Sequence, residues 1–138
     1  MSRTGRCMCG AVTYTATGDK AHLTACHCTM CRQWTGGPLL SYGPVSLSFA
    51  DDTHVSVHPS SAWAERAFCS KCGSSLYYRL TAEGPYHGNT SVAFGTLDDQ
   101  AGFEMTTEWF IDKKPDSYGL VGERRCITEA EAFAMLSD

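Results

Sequence analysis

The sequence contains no long apolar run. No stretch of the 138 residues approaches the roughly 20 apolar residues that a membrane-spanning helix requires. The first six residues lead into Cys7 without an apolar segment, so we expect no signal peptide. These absences predict a protein that has no membrane partner and works in the cytoplasm.

Lysine and arginine are also scarce. They number 11 against 15 aspartates and glutamates, and the formal net charge is −4. No cluster of basic residues interrupts this acidic balance, so we expect no nucleic-acid partner. Repeats, low-complexity tracts and linkers are absent as well, and nothing indicates an oligomeric state. We therefore expect residues 1–138 to form a single domain.

What the sequence does contain is cysteine, with eight residues of this type. In a reducing compartment such a number predicts metal binding rather than disulfides. Seven of the eight lie in three short motifs: C-x-C at 7–9, C-x-C-x-x-C at 26–31 and C-x-x-C at 69–72. A glycine follows the first and third motifs, where it allows a tight turn that points backbone amides at sulfur.

The first and third motifs together supply four thiolates, which is the ligand number of a closed, structural zinc site. The cysteines concerned are Cys7, Cys9, Cys69 and Cys72. A thioredoxin-like redox role for the 69–72 pair is less favoured, because the βαβ context of such motifs is missing.

The central motif supplies three thiolates from Cys26, Cys28 and Cys31, which leaves one zinc position open for water or substrate. Other divisions exist, because Cys126 or His27 could complete this site and make it structural. We expect His27, between two ligands, to point away from the metal and to shape the turn or contact substrate. Cys126 is expected to be a small buried residue or a free thiol.

Short segments rich in β-forming residues, separated by glycine, proline and aspartate, predict a mainly β fold. The predicted strands are 11–17, 22–25, 39–42, 45–49, 53–58, 63–68, 74–80, 90–94 and 104–111. One helical turn is predicted over 29–34, ended by the glycines at 36 and 37. His54 and His58 lie on a predicted strand, and we expect both to be surface residues rather than metal ligands.

The last residues have a different pattern. Thr128 followed by Glu131 forms a capping box, which predicts a short C-terminal helix over about 128–136. Ala130, Phe133 and Ala134 could form its apolar stripe, which Leu136 could extend.

These motifs carry a resemblance to a known family. The order C-x-C-G, C-H-C-x-x-C-R and F-C-x-x-C-G resembles that of the glutathione-dependent formaldehyde-activating family, also called the centromere protein V family (GFA/CENP-V). Arg66-Ala67 before the third motif, residues 95–99, Lys114-Pro115 and Tyr118 also fit its pattern. The resemblance covers roughly residues 3–120.

The resemblance implies a β-tent of small antiparallel sheets with two zinc ions per chain. It implies that Cys7, Cys9, Cys69 and Cys72 hold a structural zinc and that the central three cysteines hold a catalytic one. The implied activity is that of a carbon–sulfur lyase resembling S-(hydroxymethyl)glutathione synthase, which joins formaldehyde reversibly to glutathione.

The ligand chemistry is consistent with a sulfur substrate. Three thiolates give Zn²⁺ a net charge of −1, which makes it a weak Lewis acid but a good acceptor for a soft thiol ligand. Coordination would deprotonate that thiol, and the thiolate is the nucleophile. The hypothesis is that a substrate thiol at Cys26, Cys28 and Cys31 attacks an aldehyde carbon.

Other parts of this mechanism have several candidates. The proton donor is His27, a tyrosine or water. Arg32 is the tentative partner of a substrate carboxylate, with Lys113 and Lys114 more remote, although a surface salt bridge explains Arg32 equally well. Trp34 is a candidate pocket wall or a core residue.

Three other functions compete with the lyase hypothesis. The chain could be a non-catalytic zinc-binding module, a carrier of glutathione or another thiol, or a zinc hydrolase. An acidic chain with scattered basic residues shows no obvious cationic pocket for anionic glutathione, so a different thiol is also considered.

Overall fold

The computed structural model describes residues 1–136, which form two β-sheets and two short helices. The strands are β1 Ser2–Arg6, β2 Thr13–Thr17, β3 His22–Cys26, β4 Leu39–Tyr42, β5 Ser46–Phe49, β6 Val55–His58, β7 Ala64–Cys69, β8 Ser75–Leu80, β9 Thr90–Ala93, β10 Glu104–Trp109 and β11 Arg125–Ile127. The helices are α1 Thr29–Thr35 and α2 Glu129–Leu136, and single 3₁₀ turns cover Phe94–Thr96 and Ile111–Lys113. The prediction of a mainly β fold with a short C-terminal helix is confirmed.

The smaller sheet has the strand order β1-β2-β5, and the larger has the order β11-β10-β3-β4-β9-β8-β7-β6. Most neighbouring strands are antiparallel, as expected. Strand β10 is the exception, because it runs parallel to both β3 and β11. Parallel neighbours need long connections, and the chain supplies them between β3 and β10 and over residues 110–124.

The sequence patterns did not predict the first and last strands. Strand β1 is mostly polar, and only Gly5 is buried in it. That glycine lies against the Tyr14 ring, where an added Cβ would approach to 2.3 Å, so the close packing needs a residue without a side chain. Strand β11 has only three residues, of which Ile127 alone is buried, and this is too short for a recognisable alternation.

The main apolar core extends directly to two cysteines. Its buried members include Val12, Tyr42 and Leu76, and the same cluster contains Cys7 and Cys69. The four-cysteine group is therefore part of the packing between the first strands and the middle of the large sheet, rather than a separate surface feature.

The C-terminal helix begins with the predicted capping box. The Thr128 amide donates to Glu131 Oε1 at 3.1 Å, and the Glu131 amide donates to Thr128 Oγ1 at 3.2 Å. The predicted apolar stripe is wrong at Ala130 and Ala134, which are exposed, whereas Ala132 is buried. It is right at Phe133, whose ring packs edge-on to Trp63 and Phe110 with centroids at 5.5 and 5.9 Å.

Neither helix of the described residues is long and apolar enough to cross a membrane.

Candidate functional site

The four cysteines from the first and third motifs meet in one cluster. Cys7 and Cys9 follow β1, Cys69 ends β7, and Cys72 lies in the turn after it. Their sulfurs all lie within 4.8 Å of one another. The Cys7–Cys9 and Cys9–Cys69 sulfur distances are 3.6 and 3.9 Å. Four sulfurs around zinc at about 2.3 Å would be about 3.8 Å apart, so this donor set fits a tetrahedral zinc.

Tight turns aim these sulfurs at one point. Gly10 and Gly73 both have φ of +81°, a region that side chains disfavour, and their amides donate to the carbonyls of Cys7 and Cys69 at 3.1 and 2.8 Å. The Val12 amide donates to Cys7 Sγ at 3.3 Å. The predicted amide-to-sulfur contact is present, although Val12 supplies it rather than a glycine.

Hydrogen bonds prepare part of this cluster for ionisation. Bonds from the Ser74 hydroxyl and amide lower the pKa of Cys72 to about 5. Burial opposes ionisation of Cys7, but the Val12 amide and neighbouring thiols outweigh it and lower the Cys7 pKa. Because thiolates are the metal-binding form of cysteine, these contacts favour metal binding.

The central motif forms a second cluster of three sulfurs. Cys26 ends β3, Cys28 is the N-cap of α1 and Cys31 lies in its first turn. The three sulfurs lie within 4.8 Å of one another, and no fourth cysteine, histidine or carboxylate within residues 1–136 joins them. Cys126 is an exposed free thiol, so the prediction that it is buried is wrong and the free-thiol alternative is correct.

The three thiols oppose one another's ionisation. Hydrogen bonds from Cys26 and Cys31 lower the pKa of Cys28 to about 2. The same contacts raise the pKa of Cys26. For Cys31, hydrogen bonding to Cys26 is outweighed by the Cys28 thiolate and burial, which raise its pKa to about 11. One thiolate thus raises the pKa of the neighbouring thiols, and a bound divalent metal would remove this repulsion.

His27 points away from the sulfurs into a buried polar network. It has no exposed surface, its Nδ1 lies 2.8 Å from the Tyr118 hydroxyl, and its Nε2 lies 2.8 Å from Glu108 Oε1. Glu108 Oε2 accepts from Arg124 Nη1 at 2.8 Å. Burial opposes the Glu108 charge, but the bonds from His27 and Arg124 outweigh it and lower the carboxyl pKa.

These contacts bear on the predicted roles of His27. Both ring nitrogens have protein partners and the ring has no exposed surface, which agrees with the predicted role of shaping the local turn. Substrate contact and proton donation by His27 stay predictions.

The Arg32 side chain also makes its hydrogen bonds within the three-cysteine segment. Its Nε donates to the His27 carbonyl at 3.0 Å and its Nη2 lies 3.5 Å from Thr29 Oγ1. Within residues 1–136 no carboxylate pairs with Arg32. Contact with a substrate carboxylate stays a prediction. Lys113 pairs with Glu129 at 2.9 Å, and Lys114 donates to the Tyr118 carbonyl at 2.6 Å.

Arg66 fits the family pattern in the sequence, but the sequence predicted no role for it at the site. It is 6% exposed, and its Nη1 lies 3.4 Å from Cys31 Sγ. Its guanidinium lies over the rings of Trp34 and Tyr78, at 5.1 and 4.9 Å from their centroids. Burial opposes its charge, but the Cys31 and Cys28 thiolates outweigh that effect and raise the Arg66 pKa. The available signal was a buried-strand arginine three residues before Cys69.

One cavity of about 620 Å³ lies against the small sheet and is lined by residues that include members of β1, β2 and β5. A second, smaller cavity has about 290 Å³ and includes Arg66 and Trp34 in its lining. No cysteine among residues 1–136 lines either cavity, but Arg66 contacts Cys31, so we take the smaller cavity as the one beside the candidate site.

Comparison with solved structures supports the fold. A crystal structure of a Rhodobacter sphaeroides protein matches with a TM-score of 0.53 and 20% sequence identity, covering 69% of this chain and 87% of that one. At this identity the match shows a shared fold alone.

Comparison of sequences identifies relatives. An uncharacterized lyase of Schizosaccharomyces pombe is 32% identical over 135 residues, which is 94% of this chain and 93% of the relative. A Podospora anserina protein, assigned by name as a glutathione-dependent formaldehyde-activating enzyme, is 33% identical over 105 residues, or 72% of this chain and 49% of the relative. The family model described as glutathione-dependent formaldehyde-activating enzyme matches residues 2–113. The chain therefore belongs to the glutathione-dependent formaldehyde-activating enzyme family, the family that its cysteine motifs resemble.

Proposed function

We propose that this protein is an enzyme of the carbon–sulfur lyase type, which adds an aldehyde to a thiol such as glutathione, or releases it, at the three-cysteine cluster. The observation that carries the proposal is the cluster itself. Cys26, Cys28 and Cys31 converge within 4.8 Å, and no fourth ligand within residues 1–136 closes the site. The names of the family and of its two relatives supply the reaction class.

We propose two zinc ions per chain. The closed set would be Cys7, Cys9, Cys69 and Cys72, with a structural role, and the open set would be the three central cysteines. Zinc bound at the open set would supply a soft acceptor that lowers the pKa of a substrate thiol. We also propose a reducing compartment such as the cytoplasm, because both clusters need their cysteines reduced to bind metal.

The reaction balances without an oxidant or reductant. A thiol R–SH loses its proton, its sulfur electron pair forms a bond to the carbon of formaldehyde, and the carbonyl π electrons move to oxygen. The oxygen takes up a proton, so R–SH + HCHO gives R–S–CH₂–OH. In the reverse direction the carbon–sulfur bond breaks and the thiol leaves.

Other residues of the chain position the three cysteines and offset part of their negative charge. The Cys31 amide donates to Cys28 Sγ at 3.3 Å and fixes the start of α1 around the sulfurs. The buried contacts of His27 hold the loop that carries Cys26 and Cys28. Arg66 places a positive charge beside Cys31 and offsets part of the thiolate charge.

The test is an exchange measurement. Formaldehyde and glutathione combine without a catalyst, so ¹³C exchange spectroscopy should compare their interconversion rate with and without protein. We expect acceleration by the wild type and by Cys126→Ser, whose cysteine lies outside both clusters. Cys28→Ser should lose it. Glutathione binding without acceleration would indicate a carrier, and neither binding nor acceleration would indicate a non-catalytic zinc module.

A further inference from the structure

The smaller cavity has features that addition of formaldehyde does not use. Its volume is about 290 Å³, and its lining residues are Trp34, His58, Arg66, Phe68 and Gly73. It adjoins the three-cysteine cluster, since Arg66 Nη1 lies 3.4 Å from Cys31 Sγ. Formaldehyde has only two heavy atoms, so it leaves most of this space unused.

Arg66 has hydrogen-bonding capacity to spare. Its Nε donates to Ser60 Oγ at 3.2 Å and its Nη1 to Cys31 Sγ at 3.4 Å, while Nη2 has no acceptor within residues 1–136. No carboxylate of the described chain forms an ion pair with Arg66. The Cys31 thiol lies on one side of the Arg66 guanidinium, and the unused Nη2 of the planar fork is suited to a carboxylate.

The remaining walls are apolar and flat. The lining rings are those of Trp34, at 5.1 Å from the guanidinium, and Phe68. Tyr78, which is not part of the lining, lies 4.9 Å from the guanidinium. His58 is the cross-strand partner of Arg66 between β6 and β7, so the two side chains share a face of the sheet. One arginine beside one histidine provides too little positive charge for a phosphate, and it matches a single carboxylate.

We propose that this cavity binds the substrate through one carboxylate on a flat apolar body, with the carboxylate at Arg66 and the body against Trp34 and Phe68. This deepens the proposed function and rests on it for the statement that the bound molecule reacts. The substrates then include an aldehyde or thiol larger than formaldehyde, whose acid group reaches the cavity while the reacting atom lies at the three cysteines.

The test uses benzoate and its neutral isostere benzamide as probes of the metal-loaded full chain, with calorimetric titration as the measurement. We expect one benzoate per chain and at least tenfold weaker binding of benzamide. Arg66→Gln should weaken benzoate binding at least tenfold and remove the preference over benzamide. Arg79→Gln is the matched control on β8, where that arginine lies over Tyr77 at 4.5 Å, and it should leave both affinities unchanged.

Several outcomes would overturn the proposal. One is equal binding of benzoate and benzamide to the wild type, or binding of neither. Another is an Arg66→Gln variant that loses metal from the three-cysteine cluster yet keeps the benzoate preference, which would assign Arg66 a purely structural role. If Arg66→Gln does not fold, Trp34→Phe tests whether the bound benzoate lies against Trp34. This variant should abolish the change in tryptophan fluorescence that benzoate causes, and a retained change would contradict that position.

The same probes separate this inference from the proposed function. Exchange of 4-carboxybenzaldehyde with glutathione places the acid group on the aldehyde, and exchange of formaldehyde with 4-mercaptobenzoate places it on the thiol. We expect at least one to be accelerated more than tenfold over its uncharged analogue. Benzoate binding without any exchange would refute the enzyme and leave the binding cavity, whereas exchange without benzoate binding would refute the cavity alone.

Discussion

At the scale of single residues, the buried contacts around His27 connect the three-cysteine loop to the rest of the protein. Glu108 bridges His27 and Arg124, and both the Glu108 and Arg124 side chains are 9% exposed. Arg124 lies beyond the segment matched by the family model, which ends at residue 113, and beyond the motif region, which ends near residue 120. The C-terminal segment therefore contributes to this buried network from outside the motif region.

Glu108→Gln should lower the free energy of unfolding by about 3 kcal/mol, because removing one partner of a buried ion pair leaves the Arg124 charge uncompensated. Urea unfolding measures the effect. The matched control is Glu65→Gln, which breaks a 3.5 Å pair with Arg79 between half-exposed side chains, and it should cost less than about 1 kcal/mol. Equal losses in the two variants would contradict the importance of the buried network.

The two cysteine clusters should respond differently to the same substitution. Cys72→Ser should yield insoluble protein, because a structural zinc contributes on the order of 10 kcal/mol, comparable to the total stability of a domain. Cys28→Ser should stay folded, and Cys126→Ser should match the wild type. Recovery of soluble protein and circular dichroism measure this. Collapse of both cluster variants alike would contradict the proposed division of roles.

At the scale of elements, the sequence predicted most strands, the α1 turn and both sets of neighbouring cysteines. Local signals were sufficient there, because turn residues and motif spacing act over a few positions. The parallel placement of β10 and the docking face of α2 depend on contacts between distant segments. Arg66 was missed for a related reason, since nothing in its own strand indicates that Cys31 lies beside it.

The capping box gives an element-scale prediction. Thr128→Ala should destabilise α2 by about 1 kcal/mol, because the first-turn amides lose their acceptor, while Thr128→Ser should retain the cap. Amide hydrogen exchange over 132–136 measures the change. An alanine variant with unchanged exchange would show that docking alone holds the helix.

The capping contribution should also depend on pH. Bonds from the Thr128 amide and hydroxyl lower the pKa of Glu131 from its ordinary value of 4.5. A carboxylate with a lowered pKa in the folded state stabilises it above the unfolded pKa, and this stability is lost as pH falls through the folded value. The difference between wild type and Thr128→Ala should therefore shrink below about pH 4.5.

At the scale of the whole molecule, we propose that the chain forms a single domain. The core cluster joins residues of β2, β4, β7, β8 and β9 with Cys7 and Cys69, so the small sheet and the middle of the large sheet share one interior. Thermal unfolding should then show one cooperative transition, with the same midpoint by near- and far-ultraviolet circular dichroism. Two separated transitions in the metal-loaded protein would indicate independently folding parts.

The central claim is that the three-cysteine cluster is an open metal site that accepts a substrate thiol, and spectroscopy of the cobalt-loaded protein tests it most directly. Cobalt replaces zinc at tetrahedral sulfur sites, and its thiolate charge-transfer absorption reports the number of bound thiolates. We predict a saturable increase on addition of glutathione in the wild type and in Cys126→Ser, from seven thiolate bonds per chain to eight, and no such increase in Cys28→Ser. A wild-type spectrum indifferent to glutathione, or an equal increase in Cys28→Ser, would contradict the account.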